Sequence, residues 1–265
     1  ESFSVRRIFA VVRRYWYLLV SSWPRLVELV YWPAVQMLMW GFLQLYLDQT
    51  SGFVANLGAV FIGAVLLWDI LFRGQLGFSI SFLEEMWSRN MGNLMMTPLR
   101  PAEFLAALMT MSTIRLLIGF VPVSLMAMLF FDFNVWAFGF ALAAFFANLI
   151  FTSWAIGMGV SGLVLRNGLG AESLAWSLTF LLLPLACVYY PVEVLPGWLQ
   201  AISWSLPPTY VFEGMRALVV DGVFRGDLML QALAMNAVAL ALGATAFLAL
   251  YNGARRAGSL LSMGE

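Results

Sequence analysis

Long apolar runs, broken at intervals by short polar stretches, predict a helical chain threaded repeatedly through a membrane. A spanning helix needs roughly twenty apolar residues. Six segments reach that length: Leu26 to Leu47, Phe53 to Phe72 with an extension to Phe82, Ala102 to Phe131, Val135 to Leu165, Ser173 to Tyr190, and Leu228 to Tyr251. Residues 1–24 follow a different pattern. Arg6, Arg7, Arg13 and Arg14 recur seven apart, while Ile8, Phe9, Val12, Tyr15, Trp16 and Leu19 fill the other side. This predicts an amphipathic helix in the membrane interface, its arginines toward anionic headgroups. It lacks the continuous apolar core and small-residue cleavage site of a secretory signal.

Two interruptions stand out. Phe82 to Glu103, FLEEMWSRNMGNLMMTPLRPAE, is the longest polar break in the first half of the chain. It begins as a helix carrying Glu84, Glu85 and Arg89, with Glu85 and Arg89 four apart in the favourable order for a pair. It breaks at Thr97-Pro98-Leu99-Arg100-Pro101, where proline removes a backbone donor. Met86, Trp87, Met91, Leu94, Met95 and Met96 offer more apolar surface than a solvated loop carries. Two readings stay open for it, a membrane-surface helix and a docking element for a partner. The second interruption, residues 191–227, is too apolar for a free loop and too rich in proline for one straight span. Two short helices dipping into the outer leaflet fit it, since irregular backbone at membrane depth must be buried or line a cavity. Pro207 and Pro208 would end the first, Thr209 would cap the second, and Glu213 and Arg216 would share a face of the second.

Composition agrees with a polytopic membrane protein: 62% of the 265 residues are hydrophobic and 11% charged, with mean hydropathy +0.88. Cys187 is the lone cysteine and there is no histidine, so neither an internal disulfide nor histidine-based metal or acid/base chemistry is expected. Net charge is zero, which gives no bias toward nucleic acid. Arginine placement orients the chain. With the N-terminus inside, Arg6, Arg7, Arg13, Arg14, Arg25, Arg89, Arg100, Arg166, Arg255 and Arg256 fall on the cytoplasmic side, and Arg216 and Arg225 fall outside. Both termini, residues 83–101 and the tail 252–265 are then cytoplasmic.

Charges inside spans are costly and mark candidate functional positions. Asp69 and Arg73 lie four apart in the second span, and Arg115 lies well inside the third. An Arg-Asp-Arg cluster of Asp69, Arg73 and Arg115 is expected. It either pins helix packing or faces a cavity and attracts an anionic headgroup. Ser153, Gly157 and Ser161 recur every four residues, a seam for close helix packing. Tyr15-Trp16-Tyr17, Tyr31-Trp32 and the stretch from Trp198 to Trp204 sit where interfacial aromatic belts are expected.

Six spans behind an amphipathic N-terminal helix resemble the membrane subunit of the type-2 ABC exporters. Glu85, Leu94, Thr97, Pro98 and Leu99 are similar to that family's segment between its second and third helices. Pro191, Leu195, Pro196, Pro208, Thr209, Tyr210, Glu213 and Arg216 are similar to its outer signature, and the likeness covers nearly the whole chain. Pro207 departs from the asparagine often found there. The resemblance implies an all-α membrane protein with six transmembrane helices, a cytoplasmic coupling helix and an outer re-entrant hairpin between helices 5 and 6. It further implies that residues 85–97, with Glu84, Glu85, Met86, Arg89, Asn93, Leu94, Thr97 and Pro98, seat in a groove of a cytoplasmic ABC ATPase present in two copies. A second copy of this chain, or a paralogous permease, would complete the pathway in the inner membrane. ATP and magnesium would belong to the ATPase, since a chain without lysine has no G-x-x-x-x-G-K-[ST] loop. No catalytic residue, metal site or cofactor is expected in this chain.

Two other functional classes compete with this reading. A self-contained secondary transporter or ion pathway would use Asp69, Arg73 and Arg115 as its relay, but the halves show no repeat of broken helices. An intramembrane enzyme has little support, with no acid pair or nucleophile motif.

Overall fold

Apolar runs of this length have no way to satisfy their backbone in hydrocarbon except as helix, and the computed structural model follows that rule. It describes residues 3–51 and 55–257. Glu1, Ser2, the expected span start at Phe53 and the tail residues 258–265 lie outside the described residues. Among the described residues there are helices and turns and no strand. In chain order the helices are α1 (Val5–Val20), α2 (Trp23–Ser51), α3 (Ala55–Trp87), α4 (Met91–Met96) and α5 (Pro101–Phe131). There follow α6 (Phe140–Asn167), α7 (Leu174–Leu185), α8 (Gly197–Ser203), α9 (Pro207–Asp221) and α10 (Gly226–Ala257).

Five of these, α2, α3, α5, α6 and α10, are long and apolar enough to cross a membrane. The segment expected as a fifth of six spans, Ser173 to Tyr190, is shorter: α7 has 12 residues. Pro184 sits in its last turn, where it removes a donor, and Cys187 takes a left-handed φ of 53°, so the chain turns instead of continuing. The expected fourth span also starts late. A 3-10 turn at Val135–Phe138, capped by the Asn134 side chain accepting from Trp136 N, precedes α6.

Residues 191–227 do form two short helices, α8 and α9. The roles of three residues between them are corrected. Pro207 and Pro208 begin α9 rather than end α8, because proline's missing N–H costs nothing in a first turn. Thr209 is therefore inside α9, and its hydroxyl donates back to the Ser203 carbonyl at 2.7 Å.

α3 is the central column, 83% of its apolar window being buried against 17% for α2 and 11% for α10. α5 and α6 press on α3 at small residues. Ser112 Oγ donates to the Gly74 carbonyl at 2.6 Å and Ser153 Oγ to the Leu71 carbonyl at 2.8 Å. The expected seam on α6 is thus real at Ser153, and at Gly157, where a Cβ would strike Phe78. Buried apolar side chains form two clusters. One joins Leu66, Ile70, Phe120, Phe145, Phe212 and Met215 toward the α9 end. The other joins Tyr15, Phe82, Leu94, Phe104 and Phe247 toward the end where α3 turns into α5.

Candidate functional site

With 33 residues, α3 is about 50 Å long at 1.5 Å per residue, well beyond a hydrocarbon core of about 30 Å. Its last turns, carrying Glu84, Glu85 and Met86, therefore stand at the rim of the bundle with α4. The helix stops at Trp87, earlier than the expected break at Thr97. Arg89 adopts a left-handed φ of 52°, so the helical spacing that suggested a Glu85–Arg89 pair does not extend to it. The six-residue α4 follows and ends at Thr97, whose hydroxyl donates to the Leu94 carbonyl at 2.6 Å.

The turn has an inner and an outer face. Glu85, Met86, Met91 and Leu94 are buried inside, while Trp87, Arg89, Asn93, Met96, Thr97 and Pro98 are exposed, Met96 by 77%. Glu85 is buried to 1%. It accepts from both Arg14 Nη atoms, at 2.5 and 3.3 Å, and from Asn90 Nδ2 at 2.7 Å. Burial opposes the charge on Arg14, but the hydrogen bond and charge of Glu85 outweigh it and hold the guanidinium above its ordinary range. Asn93 Nδ2 donates to Asn90 Oδ1 at 3.3 Å. The indole of Trp87 donates to Glu172 at 2.8 Å, linking the turn to the residues ahead of α7.

On the far side of α4, Glu103 is fully buried and bound three ways. Arg7 donates to it bidentately at 2.8 and 2.7 Å, Ser4 N donates at 2.7 Å, and Arg100 N donates at 3.0 Å, the return half of a capping box for α5. Of the four α1 arginines expected to face headgroups, Arg7 and Arg14 are thus turned into the protein. Their carboxylates draw them, because a buried carboxylate without a partner is costly. Tyr15, expected in an aromatic belt, is fully buried beside them. Arg7, Arg14, Glu103 and Asn90 are not legible from the sequence as site residues. The capping pattern of Pro101 and Glu103 was a readable signal, but no local pattern names a partner about a hundred residues away.

The expected Arg-Asp-Arg cluster does not form. Arg73 Nε donates to Asp69 at 3.0 Å, but Arg115 donates to both oxygens of Glu84 at 3.2 Å. The reason is direction. Side chains lean toward their helix N-terminus, which for α5 is the α4 end, and a Cβ on Gly77 would lie 3.6 Å from that of Arg115. Asp69 is eight residues away from Gly77 in the opposite direction, about 12 Å along α3. Among the described residues the Asp69–Arg73 pair has no third charged partner; the Asp69 charge is felt at Tyr189, whose ring stacks on Trp40 at 4.6 Å beside Phe61.

At the other end, Glu213 and Arg216 pair at 2.7 Å, as their spacing predicted. Arg216 also donates to the Val188 carbonyl at 3.3 Å, and Glu213 accepts from Val192 N at 3.0 Å, so α9 fixes the turn after α7. Tyr210 donates to the Trp204 carbonyl at 2.9 Å, while Pro191 and Pro196 lead into a 3-10 turn and α8. Pro208 is buried. Pro191, Glu213 and Arg216 line a cavity of about 480 Å³.

No curated protein matches the chain. A family model described as "ABC-2 type transporter" matches residues 6–220, from α1 through the turn around α4 to the end of α9. That match spans most of the 265 residues, and such membrane domains work with an ABC ATPase. The chain belongs to the ABC-2 type transporter family, as the permease component of an ABC transporter.

Proposed function

We propose that this chain is the permease of an ATP-driven exporter that moves an amphiphilic substrate outward across the cytoplasmic membrane. Lipid-linked glycans, lipids and hydrophobic drugs form the substrate class. Residues 85–97 are the coupling element, seated in a groove of one of two ATPase copies. Both termini and this turn are cytoplasmic, following the arginine bias of ten against two. α7 with the residues after it makes the remaining crossing, and α8 and α9 form the outer re-entrant hairpin. A second copy or a paralogous permease covers the exposed face of α2, where Tyr31, Trp32, Met39, Phe42 and Tyr46 are each more than half exposed.

One observation carries this reading. The turn at α4 exposes Trp87, Arg89, Asn93 and Met96 together, while Glu85, Met91 and Leu94 anchor it from within. An apolar and basic tip on a buried base is suited to docking, and a rigid base can pass a push to α3 and α5. The test is purification from the native membrane in mild detergent, with mass spectrometry and ATPase assay of what co-elutes. A stoichiometric partner with a G-x-x-x-x-G-K-[ST] loop is expected. A chain that elutes alone and inert would overturn the proposal and return attention to Asp69 and Arg73 as a self-contained pathway.

A further inference from the structure

Arg6 and Arg13 are left over when α1 is anchored. They lie seven residues apart on one side of the helix, about 100° around it from Arg7 and Arg14. Each tandem pair therefore sends its second arginine to a bundle carboxylate and its first away from the bundle. Arg6 and Arg13 are exposed, and neither has an ion-pair partner among the described residues. Next to this row stand Val5, Phe9 and Trp16, exposed by 72, 63 and 40%. Val12, Tyr15 and Leu19 take the buried face, and this exposed apolar strip continues that face around the helix to the arginine row. Val5, Arg6, Phe9, Ala10 and Arg13 line a shallow recess of about 490 Å³.

We propose that this face of α1 binds the headgroup phosphate of an anionic phospholipid. The two guanidiniums supply paired donors that match phosphate oxygens. Phe9 and Trp16 enter the acyl boundary at the same depth, as amphipathic interfacial helices do. A free phosphate would satisfy the arginines and leave the apolar strip in water, so the lipid is the occupant that accounts for both features. Because Arg7 and Arg14 fix the same helix to Glu103 and Glu85, on either side of α4, a headgroup held at Arg6 and Arg13 also steadies the turn.

The test places the full chain in vesicles of equal phosphatidylcholine and phosphatidylglycerol, extracts it gently, and counts retained lipids by native mass spectrometry. At about tenfold or less per arginine near an anionic surface, wild type should favour phosphatidylglycerol by roughly ten- to thirtyfold. Arg6→Gln with Arg13→Gln should bring retention near parity. Arg6→Lys with Arg13→Lys should keep part of the preference, since charge remains and the guanidinium geometry is lost. Equal retention of both lipids by wild type overturns the proposal, as does an undiminished preference in the glutamine variant. If that variant fails to insert, wild type still decides: phosphatidylglycerol retention that does not fall with rising salt during extraction would contradict a headgroup contact at exposed arginines.

Discussion

Arg115 on α5 reaches Glu84 on α3, its Nη2 lying 3.2 Å from both carboxylate oxygens, and only 7% of the arginine side chain is exposed. The pair ties the third apolar helix to the last turn of the second, immediately before the exposed tip of the turn around α4. Glu84 also receives Arg25 from α2 at a longer 3.4 Å. Replacing Arg115 by alanine leaves Glu84 with its weaker partner and opens space beside Gly77. A loss of about 2–3 kcal/mol is expected from removing one member of a mostly buried pair. A double-mutant cycle of Arg115→Gln and Glu84→Gln, read by thermal denaturation in detergent, should give a coupling of about 1–2 kcal/mol. Strict additivity would show that the contact carries nothing.

Glu85 and the exposed tip should separate cleanly. Arg14→Ala is expected to cost about 1–2 kcal/mol, less than a fully buried pair because Arg14 is 41% exposed. Glu85→Ala should lower Tm likewise, since it removes a buried anchor of the turn. Met96→Asp changes a position of the turn that is 77% exposed and should leave Tm nearly unchanged while reducing ATPase co-purification at least tenfold. Retention of the ATPase by that variant would refute the docking role of α4.

Between α6 and α10, Asn148, Thr152 and Asn236 form a buried hydrogen-bonded cluster. Asn236 donates to the Asn148 carbonyl and side chain at 2.9 and 3.1 Å and accepts from Thr152 at 2.7 Å. Asn236→Leu strands the two Asn148 acceptors and takes from the Thr152 hydroxyl the oxygen to which it donates, in an apolar setting. A destabilisation of about 1–2 kcal/mol is expected, the upper range for hydrogen bonds between membrane helices. Unchanged Tm would mean that water or lipid replaces the lost donor.

Gly119 marks a close approach of α5 to the backbone of α2. A Cβ there would stand 2.5 Å from the Leu29 carbonyl oxygen, a backbone atom that cannot rotate aside. Gly119→Ala should therefore force the helices apart, at about 1–3 kcal/mol. Gly159→Ala, where a Cβ meets nothing within 4 Å, should leave Tm unchanged or raise it slightly. Equal effects at the two positions would contradict the packing of α2 on α5.

Much of this protein is determined by sequence alone. Apolar runs of about twenty residues impose helix because hydrocarbon offers no partner for backbone groups, and α2, α3, α5, α6 and α10 lie close to their expected places. The Thr97-Pro98 and Pro101 breaks, the proline-led outer helices and the Glu213–Arg216 pair are local effects, set by residues a few positions apart. Tertiary structure decided what depends on distance. The length of α7 turned on whether the chain after Pro184 would remain helical, and packing of Ala186 to Val188 in the interior ended it. The charged partners could not be read from spacing, because Glu103 and Glu85 are reached by Arg7 and Arg14 from far along the chain, and the tilt of side chains toward the start of α5 sends Arg115 to Glu84 instead of Asp69. Helix is a near-neighbour property of sequence, whereas the choice of partner for a buried charge is a property of which helix ends the fold brings together.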